Sequence, residues 1–334
     1  MSTIKKHIMK IAEIIIKGLR EIVTRSAGFP ADRAVDSSRV DYFDEEANDY
    51  IFSRIDKAFS DKTGLALCKF GSIELANIVA KIKANDWHVN DYIDLVKGYP
   101  VPLYRYKEME RLHINAGFFP QTEIMIDKFV DSMLQIIPDV DILASYVYCE
   151  RYIDNLLKHC IKVNLDGYYA PFMYKNPWSR VLRDKKVLVI HPFTESIAMQ
   201  YKRRTHIHRN EDVLPEFRSL HLIKAVQSIA GNECGFSNWF EALEAMKLKM
   251  EEIDFDIALV GCGAYGFPLA VHAKKLGKVG FHLAGWTQML FGIYGKRWLE
   301  DQPKYSKYIN EYWIRPRKEE IPSGANLVEG GCYW

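Results

Sequence analysis

No two of the six cysteines (Cys68, Cys149, Cys160, Cys234, Cys262, Cys332) form a Cys-x-x-Cys pair, and their wide scatter argues against both a zinc site and a disulfide scaffold. A reducing cytoplasm fits such usage. An excess of one charge sign is missing too: 45 basic and 43 acidic side chains leave a formal net charge of +2, and the basic clusters are local rather than a long stripe. That balance speaks against a nucleic-acid partner. Repeats and low-complexity tracts are absent, which excludes a solenoid or a disordered tail as the basic plan. What is present is a 334-residue chain, 48% hydrophobic and 13% aromatic, with ample material for one large core or two smaller ones.

The first 26 residues read as a basic amphipathic helix. Ile4, Ile8, Ile11, Ile15, Leu19 and Ile22 recur at helical spacing, and six basic side chains stand against two acidic ones, a net +4. Charge interrupts every apolar run, so the segment is neither a secretory signal nor a membrane span. It either lies on an anionic membrane face or packs on its own domain or a partner subunit.

Downstream, helical and strand periods alternate. A loop is expected over Ser26 to Val40, then a helix (Glu45 to Phe59), a strand (Leu65 to Phe70) and a helix from Ser72 to about Lys83. Residues 84 to 120, rich in Tyr, Pro and Asn, read as irregular. Helix Thr122 to Ile136, strand Asp141 to Tyr148, helix Arg151 to His159 and a short strand near Ile161 to Asn164 follow. The second half offers strand Lys186 to Ile190, helix Glu195 to Arg203, strand Leu220 to Val226 and helix Asn238 to Ile253. Strands separated by helices imply an α/β fold with a Rossmann-like, mainly parallel sheet covered by helices on both faces.

The most informative stretch is 256 to 288. Ile257 to Val260 suits a strand buried on both faces, Gly261, Gly263 and Gly266 allow a sharp turn, and Pro268 fits only the first turn of a helix that starts near Ala264 or Tyr265. Free N–H groups at such a start would face a phosphate. The spacing Gly261-x-Gly263-x-x-Gly266 matches a dinucleotide fingerprint, which also wants a carboxylate about 20 residues on. Phe281, His282, Leu283, Ala284 and Gly285 supply none. That disfavours NAD or FAD and leaves a nucleotide or sugar-diphosphate seat, or plain close packing of glycines.

In parallel sheets, ligands sit beyond the carboxyl ends of the strands. There the sequence places Lys69-Phe70-Gly71-Ser72-Ile73-Glu74, His191-Pro192-Phe193-Thr194-Glu195, Gln227-Ser228, the Gly261 turn and Gly285-Trp286-Thr287-Gln288. Each has an ordinary reading as well: Ser72 and Glu74 as cap and dipole partner of a helix, His191 as a satisfied loop histidine.

Taken together, Lys69-Phe70-Gly71-x-x-Glu74 and Asp256-Ile-Ala-Leu-Val-Gly-x-Gly-Ala, followed by Leu269-Ala and Lys274-Lys-Leu-Gly, resemble the GT-D-fold glycosyltransferases over roughly residues 45 to 300. Within them the chain is most similar to a branch found among bacterial surface-polysaccharide genes. It shares with that branch Gly261-Cys-Gly-Ala-Tyr-Gly-Phe-Pro-Leu-Ala, Phe291-Gly-Ile-x-Gly-Lys-Arg-Trp298, Asn310-Glu-Tyr-Trp313 and Glu329-Gly-Gly-Cys-Tyr-Trp334. The resemblance implies transfer of a sugar from a UDP-sugar with a divalent metal (Mn2+ or Mg2+) held by an Asp-x-Glu motif. Two departures stand out. Ser72 replaces the motif's first carboxylate, leaving Glu74 as the metal ligand, and Gly285-Trp286-Thr287-Gln288 replaces a Gly-His-x-Asp turn. His282, His191 or Glu195 then remain, with Glu74, as catalytic candidates.

The basic loop from Lys202 to Arg209 carries Arg203 and Arg204, which could neutralise a leaving diphosphate as a metal does, or could simply be solvated. Tyr265 and Trp286 are candidate stacking platforms for a base or sugar, although most large aromatics are core. The donor is thus expected at Lys69, Gly71, Ser72, Gly261, Gly263, Tyr265, Gly266, Gly285, Trp286, Gln288, Arg203 and Arg204. The expected organisation is residues 1–44 as amphipathic helix and linker, 45–300 as the α/β domain and 301–334 as an extension packed on it. The expected function is a cytoplasmic glycosyltransferase, peripheral on the inner face of the cell membrane, acting on a surface-glycan or glycoprotein acceptor. Its rival is a non-catalytic nucleotide-sugar-binding or scaffold protein of a polysaccharide assembly.

Overall fold

The computed structural model describes residues 14–16, 18–23, 25, 36–84, 86–102 and 105–334. Of the expected N-terminal helix, the described residues are helical; the rest of it, and most of the loop expected over 26 to 40, lie outside the described residues.

Seven strands form one all-parallel sheet: β1 (Leu65–Lys69), β2 (Ile142–Ala144), β3 (Ile161–Val163), β4 (Lys186–His191), β5 (Ser219–Lys224), β6 (Ile257–Val260) and β7 (Val279–His282). Their spatial order is β3-β2-β1-β7-β6-β4-β5. The central strands are short, apolar and buried on both faces, as a parallel sheet sandwiched by helices requires. Alternation along each strand divides the core. Ala66, Cys68, Leu143, Leu188, Ile190, Ala258 and Val260 face one helical layer, and Leu65, Leu67, Ile142, Val187, Val189, Ile257, Leu259, Val279 and Phe281 face the other.

The helices are α1 (Asp44–Asp61), α2 (Ser72–Lys83), α3 (Val89–Val96), α4 (Arg105–Ala116), α5 (Glu123–Ile136), α6 (Leu165–Tyr169), α7 (Thr194–Tyr201), α8 (Arg204–Ile207), α9 (Trp239–Glu251), α10 (Gly266–Lys275) and α11 (Trp286–Leu290). The Rossmann-like α/β expectation therefore holds.

Three local expectations are corrected. Residues 84 to 120 contain α3 and α4. In α4 only Met109, Leu112 and Ala116 are buried, a stripe too narrow to stand out among its charged residues. The strand expected over 141 to 148 stops at Ala144. There the Glu150 carboxylate accepts the Ser145 hydroxyl and the N–H groups of Tyr146 (3.1 Å) and Val147 (3.0 Å), drawing that backbone away from the sheet. The helix expected over 151 to 159 is instead a 3-10 segment, Tyr148–Leu156, broken at Ile153.

Segments flanking the sheet join its core. Tyr42 bridges Val163 in parallel, so residues just before α1 already extend the sheet edge. Trp298, Tyr305 and Trp313 are buried in the second layer, and Ile293 bridges Ile314.

Candidate functional site

Because all strands are parallel, the turns after β1, β4, β5, β6 and β7 open on one edge of the sheet. They surround a cavity of about 470 Å³, well inside the range of small-molecule sites. Lys69, Gly71, Ser72, Glu74, His191, Gly261, Gly263, Tyr265, His282, Gly285 and Gln288 all line it.

The Gly261 turn is its backbone core. A Cβ on Gly261 would run into the Ala284 carbonyl and come within 2.6 Å of the Thr287 hydroxyl and 2.8 Å of the His191 ring, so glycine is what lets three turns meet here. Gly263 has φ +56°, a left-handed backbone, and a Cβ there would lie 2.9 Å from the Ala116 carbonyl. A single 3-10 turn, Gly263–Tyr265, then leads into α10, with Pro268 in its first turn as its missing N–H requires.

Beside this turn sits a charged cluster. Glu74, on the first turn of α2, folds its carboxylate back over Gly71. Burial raises its pKa, opposed by its own backbone N–H and by Lys69. Burial in turn lowers the Lys69 pKa, opposed by Glu74; its ammonium donates to the Phe70 carbonyl (3.2 Å) and faces the Tyr146 ring at 5.4 Å. Arg297 donates to the Tyr333 hydroxyl (3.0 Å) and pairs with Glu329. Burial opposes its charge, yet Tyr333, Cys332 and Glu329 hold its pKa above the ordinary value.

Both histidines are neutral. His191 accepts the Phe193 N–H at Nδ1 (3.0 Å), and burial takes its pKa down to about 3. His282 donates from Nδ1 to the Lys69 carbonyl (3.1 Å); burial and the Lys69 charge take it to about 3 as well. Its Nε2 has no partner among the described residues and lies against Gly266. A base of that strength takes little proton at neutral pH, which leaves Glu74, with its raised pKa, as the stronger base candidate.

A second, uncharged part of the cavity is built by Tyr265, whose hydroxyl meets Ser228 Oγ at 3.1 Å while Ser228 donates to the Gly117 carbonyl (2.5 Å). The Tyr265 ring stacks on Trp239 at 5.1 Å and 11°.

Several expected residues lie elsewhere. Gly266 is behind the cavity wall, against the His282 ring. Trp286 is core, not a platform: it stacks on Tyr169 at 3.7 Å and 9°. The Glu195 side chain is exposed outside the cavity. Arg203 and Arg204 follow the carboxyl end of α7, whose other end is at the site; Arg204 pairs there with Glu216 (3.2 Å) over Tyr201. Conversely, Arg297, Asp301, Gln302, Val328, Glu329, Tyr333 and Trp334 line the cavity and were missed as site residues. The Phe291-to-Trp298 string held Arg297 and the closing Glu-Gly-Gly-Cys-Tyr-Trp string held Glu329, Tyr333 and Trp334, while Asp301, Gln302 and Val328 had no signal, since nothing local says which strand edge a carboxyl-terminal segment will cover.

The Lys69 ammonium competes for the Glu74 carboxylate, and no group of three or more His, Cys, Asp or Glu suited to a metal ion occurs among the described residues. That falls short of a protein-built cage for a hard divalent cation. The chain matches no family model, no curated protein and no solved structure with which it was compared. What fold and cavity define is a class: a parallel α/β protein of Rossmann-like architecture with a cavity of mixed charged, polar and apolar lining at the carboxyl edge of its sheet.

Proposed function

We propose that the protein is a glycosyltransferase that takes a nucleoside-diphosphate sugar, with UDP-sugar the favoured donor, and passes the sugar to a hydroxyl of a bacterial surface-glycan or glycoprotein acceptor. One observation carries the reading: the glycine turn leading into α10 shares a cavity with a half-buried lysine and a carboxylate of raised pKa. The turn's N–H groups and Lys69 face the diphosphate, and the Tyr265–Ser228 part receives an uncharged portion of the donor. Glu74 takes the acceptor's proton as the new glycosidic C–O bond forms and the bond from the sugar to the diphosphate breaks, the electron pair leaving with the diphosphate.

Thermal melting with UDP and assays of donor hydrolysis or transfer test this. UDP should raise the melting temperature of the wild type, and Gly263→Val and Lys69→Gln should each abolish the shift. Glu74→Gln should lower turnover by roughly two orders of magnitude. Nucleotide binding without hydrolysis or transfer of any UDP-, GDP-, CMP- or dTDP-sugar, with or without manganese, would hand the assignment to the non-catalytic binding protein.

The same reading seats the chain on an anionic membrane face through residues 1–26. Ile14, Ile15, Leu19 and Ile22 are 69%, 55%, 46% and 64% exposed, so their apolar stripe is not spent on the protein's own core. No described helix is long and apolar enough to cross a membrane. The full chain should co-sediment with acidic vesicles in a salt-sensitive way, and a chain starting near Ser26 should not. Equal sedimentation of the two would count against it.

A further inference from the structure

The charged part of the cavity holds both signs. Its cations are Lys69 and Arg297, and its carboxylates are Glu74, Asp301 and Glu329. Lys69 and Glu74 share one field, which also reaches Arg297 and Glu329. Among the described residues, Arg297 alone of the two cations is ion-paired, to Glu329, so a diphosphate reaches its guanidinium fully only if that carboxylate leaves.

The two nearest carboxylates differ in their freedom to do so. Glu74 is folded over the start of its own helix. Glu329 is not: its side chain is 37% exposed, and it opens the run Glu329, Gly330, Gly331, with φ of +47°, +68° and +76°. A non-glycine residue in left-handed backbone persists only where its surroundings hold it, and here the ion pair to Arg297 does the holding, with the Cys332 thiol 3.6 Å away. The exposed Glu329 side chain can swing outward by its own rotation, without moving Cys332 or Tyr333. Arg297 itself stays fixed, because its backbone N–H donates to the Cys332 carbonyl (2.8 Å), its guanidinium bonds the Tyr333 hydroxyl, and the Tyr333 ring lies 4.4 Å from the guanidinium carbon.

We infer that Arg297 is a phosphate seat and that Glu329 is its placeholder, occupying the guanidinium until a diphosphate group displaces it. An Arg fork takes phosphate oxygens in the same bidentate geometry that it offers a carboxylate, and a diphosphate brings more charge than Glu329 removes. This deepens the donor reading above and rests on it only for the identity of the ligand. The seat itself requires no more than a diphosphate.

Calorimetric titration with inorganic pyrophosphate, and separately with UDP, tests the seat on the full chain. Glu329→Gln removes the competitor and should tighten pyrophosphate binding about tenfold; Arg297→Lys should weaken it by about tenfold or more. In the Arg297→Lys background the gain from Glu329→Gln should shrink, because the two act through one contact. Equal or weaker pyrophosphate binding by Glu329→Gln overturns the inference, and this arm decides alone if Arg297→Lys fails to fold. Coupled pyrophosphate binding without any UDP or UDP-sugar binding would keep the seat and remove the nucleotide-sugar reading. UDP binding that is indifferent to both variants would keep that reading and remove the seat.

Discussion

Glu320 places a buried carboxylate at the start of α7, where it accepts the N–H groups of Glu195 (2.8 Å) and Ser196 (3.3 Å) and the Ser196 hydroxyl. One helix start on the carboxyl edge is thereby occupied by the protein's own carboxylate, which leaves the Gly261 turn as the one to which the proposed donor site is assigned. Glu320→Ala leaves those donors without their acceptor and should cost about 2–4 kcal/mol, read as a lowered urea midpoint at constant slope. An unchanged midpoint would mean water replaces the carboxylate fully. A pH signature belongs to the same scale. Burial takes His208 down to about 4, opposed by its bond to the Leu290 carbonyl (2.8 Å). The unfolded chain therefore binds this proton first. The stability contributed is complete above about pH 6.5 and is lost as pH falls from there toward 4, at up to about 1.4 kcal/mol per pH unit. His208→Gln retains a donor but no titration, so its slope of stability against pH between 7 and 5 should be smaller by about that amount. Parallel wild-type and variant slopes in urea unfolding would refute the assignment.

At the scale of elements, the site depends on how closely α10 approaches the sheet. A Cβ on Gly280 of β7 would collide with the Ala270 carbonyl, so this glycine sets the depth of the helix and with it the position of the Gly263 turn. Gly280→Ala should destabilise the fold by about 1–3 kcal/mol and weaken UDP binding together, since one displacement causes both. Loss of stability with unaltered affinity would show that the turn is positioned independently of the helix. On α9, Asn238, which does not line the cavity, caps the helix through the Phe240 (3.0 Å) and Glu241 (3.1 Å) N–H groups. Asn238→Ala should cost about 1 kcal/mol by thermal or urea unfolding and leave UDP affinity as it was.

At the scale of the whole molecule, residues of the 301–334 segment share a core layer with the sheet. Trp313 is buried against His208, its indole N–H donates to the Ile207 carbonyl (2.7 Å), and it belongs to the same layer as Val187 and Leu259. Trp313→Ala should cost about 3–5 kcal/mol and move the unfolding of the entire sheet, with far-UV circular dichroism and fluorescence tracing coincident transitions. Residues 301–334 unfolding in a separate, earlier step would instead make them an appendage. That segment also borders the cavity, because Gln288 donates to the Tyr333 carbonyl (3.1 Å) and so ties the β7 turn to the cavity's far wall.

What the sequence determined by itself was the sheet and one side of the site. Apolar four-to-six-residue runs, glycine after Val260 and proline in the first turn of α10 are local signals, and local sterics made them legible at Leu65–Lys69, Lys186–His191 and Ile257–Val260. The parallel arrangement then brings Lys69, Glu74, His191 and Gly261 to one edge without further information. Tertiary structure alone decided the rest. Trp286 became core because Tyr169 and Trp298 cover it, and the two Arg residues after α7 were carried away by the helix's own length. Arg297, Glu329 and Tyr333 entered the cavity because a segment distant in sequence closes over the β7 turn through backbone bonds such as Arg297 to Cys332. Such a contact depends on the summed burial of many side chains rather than on any periodicity in the segment that makes it.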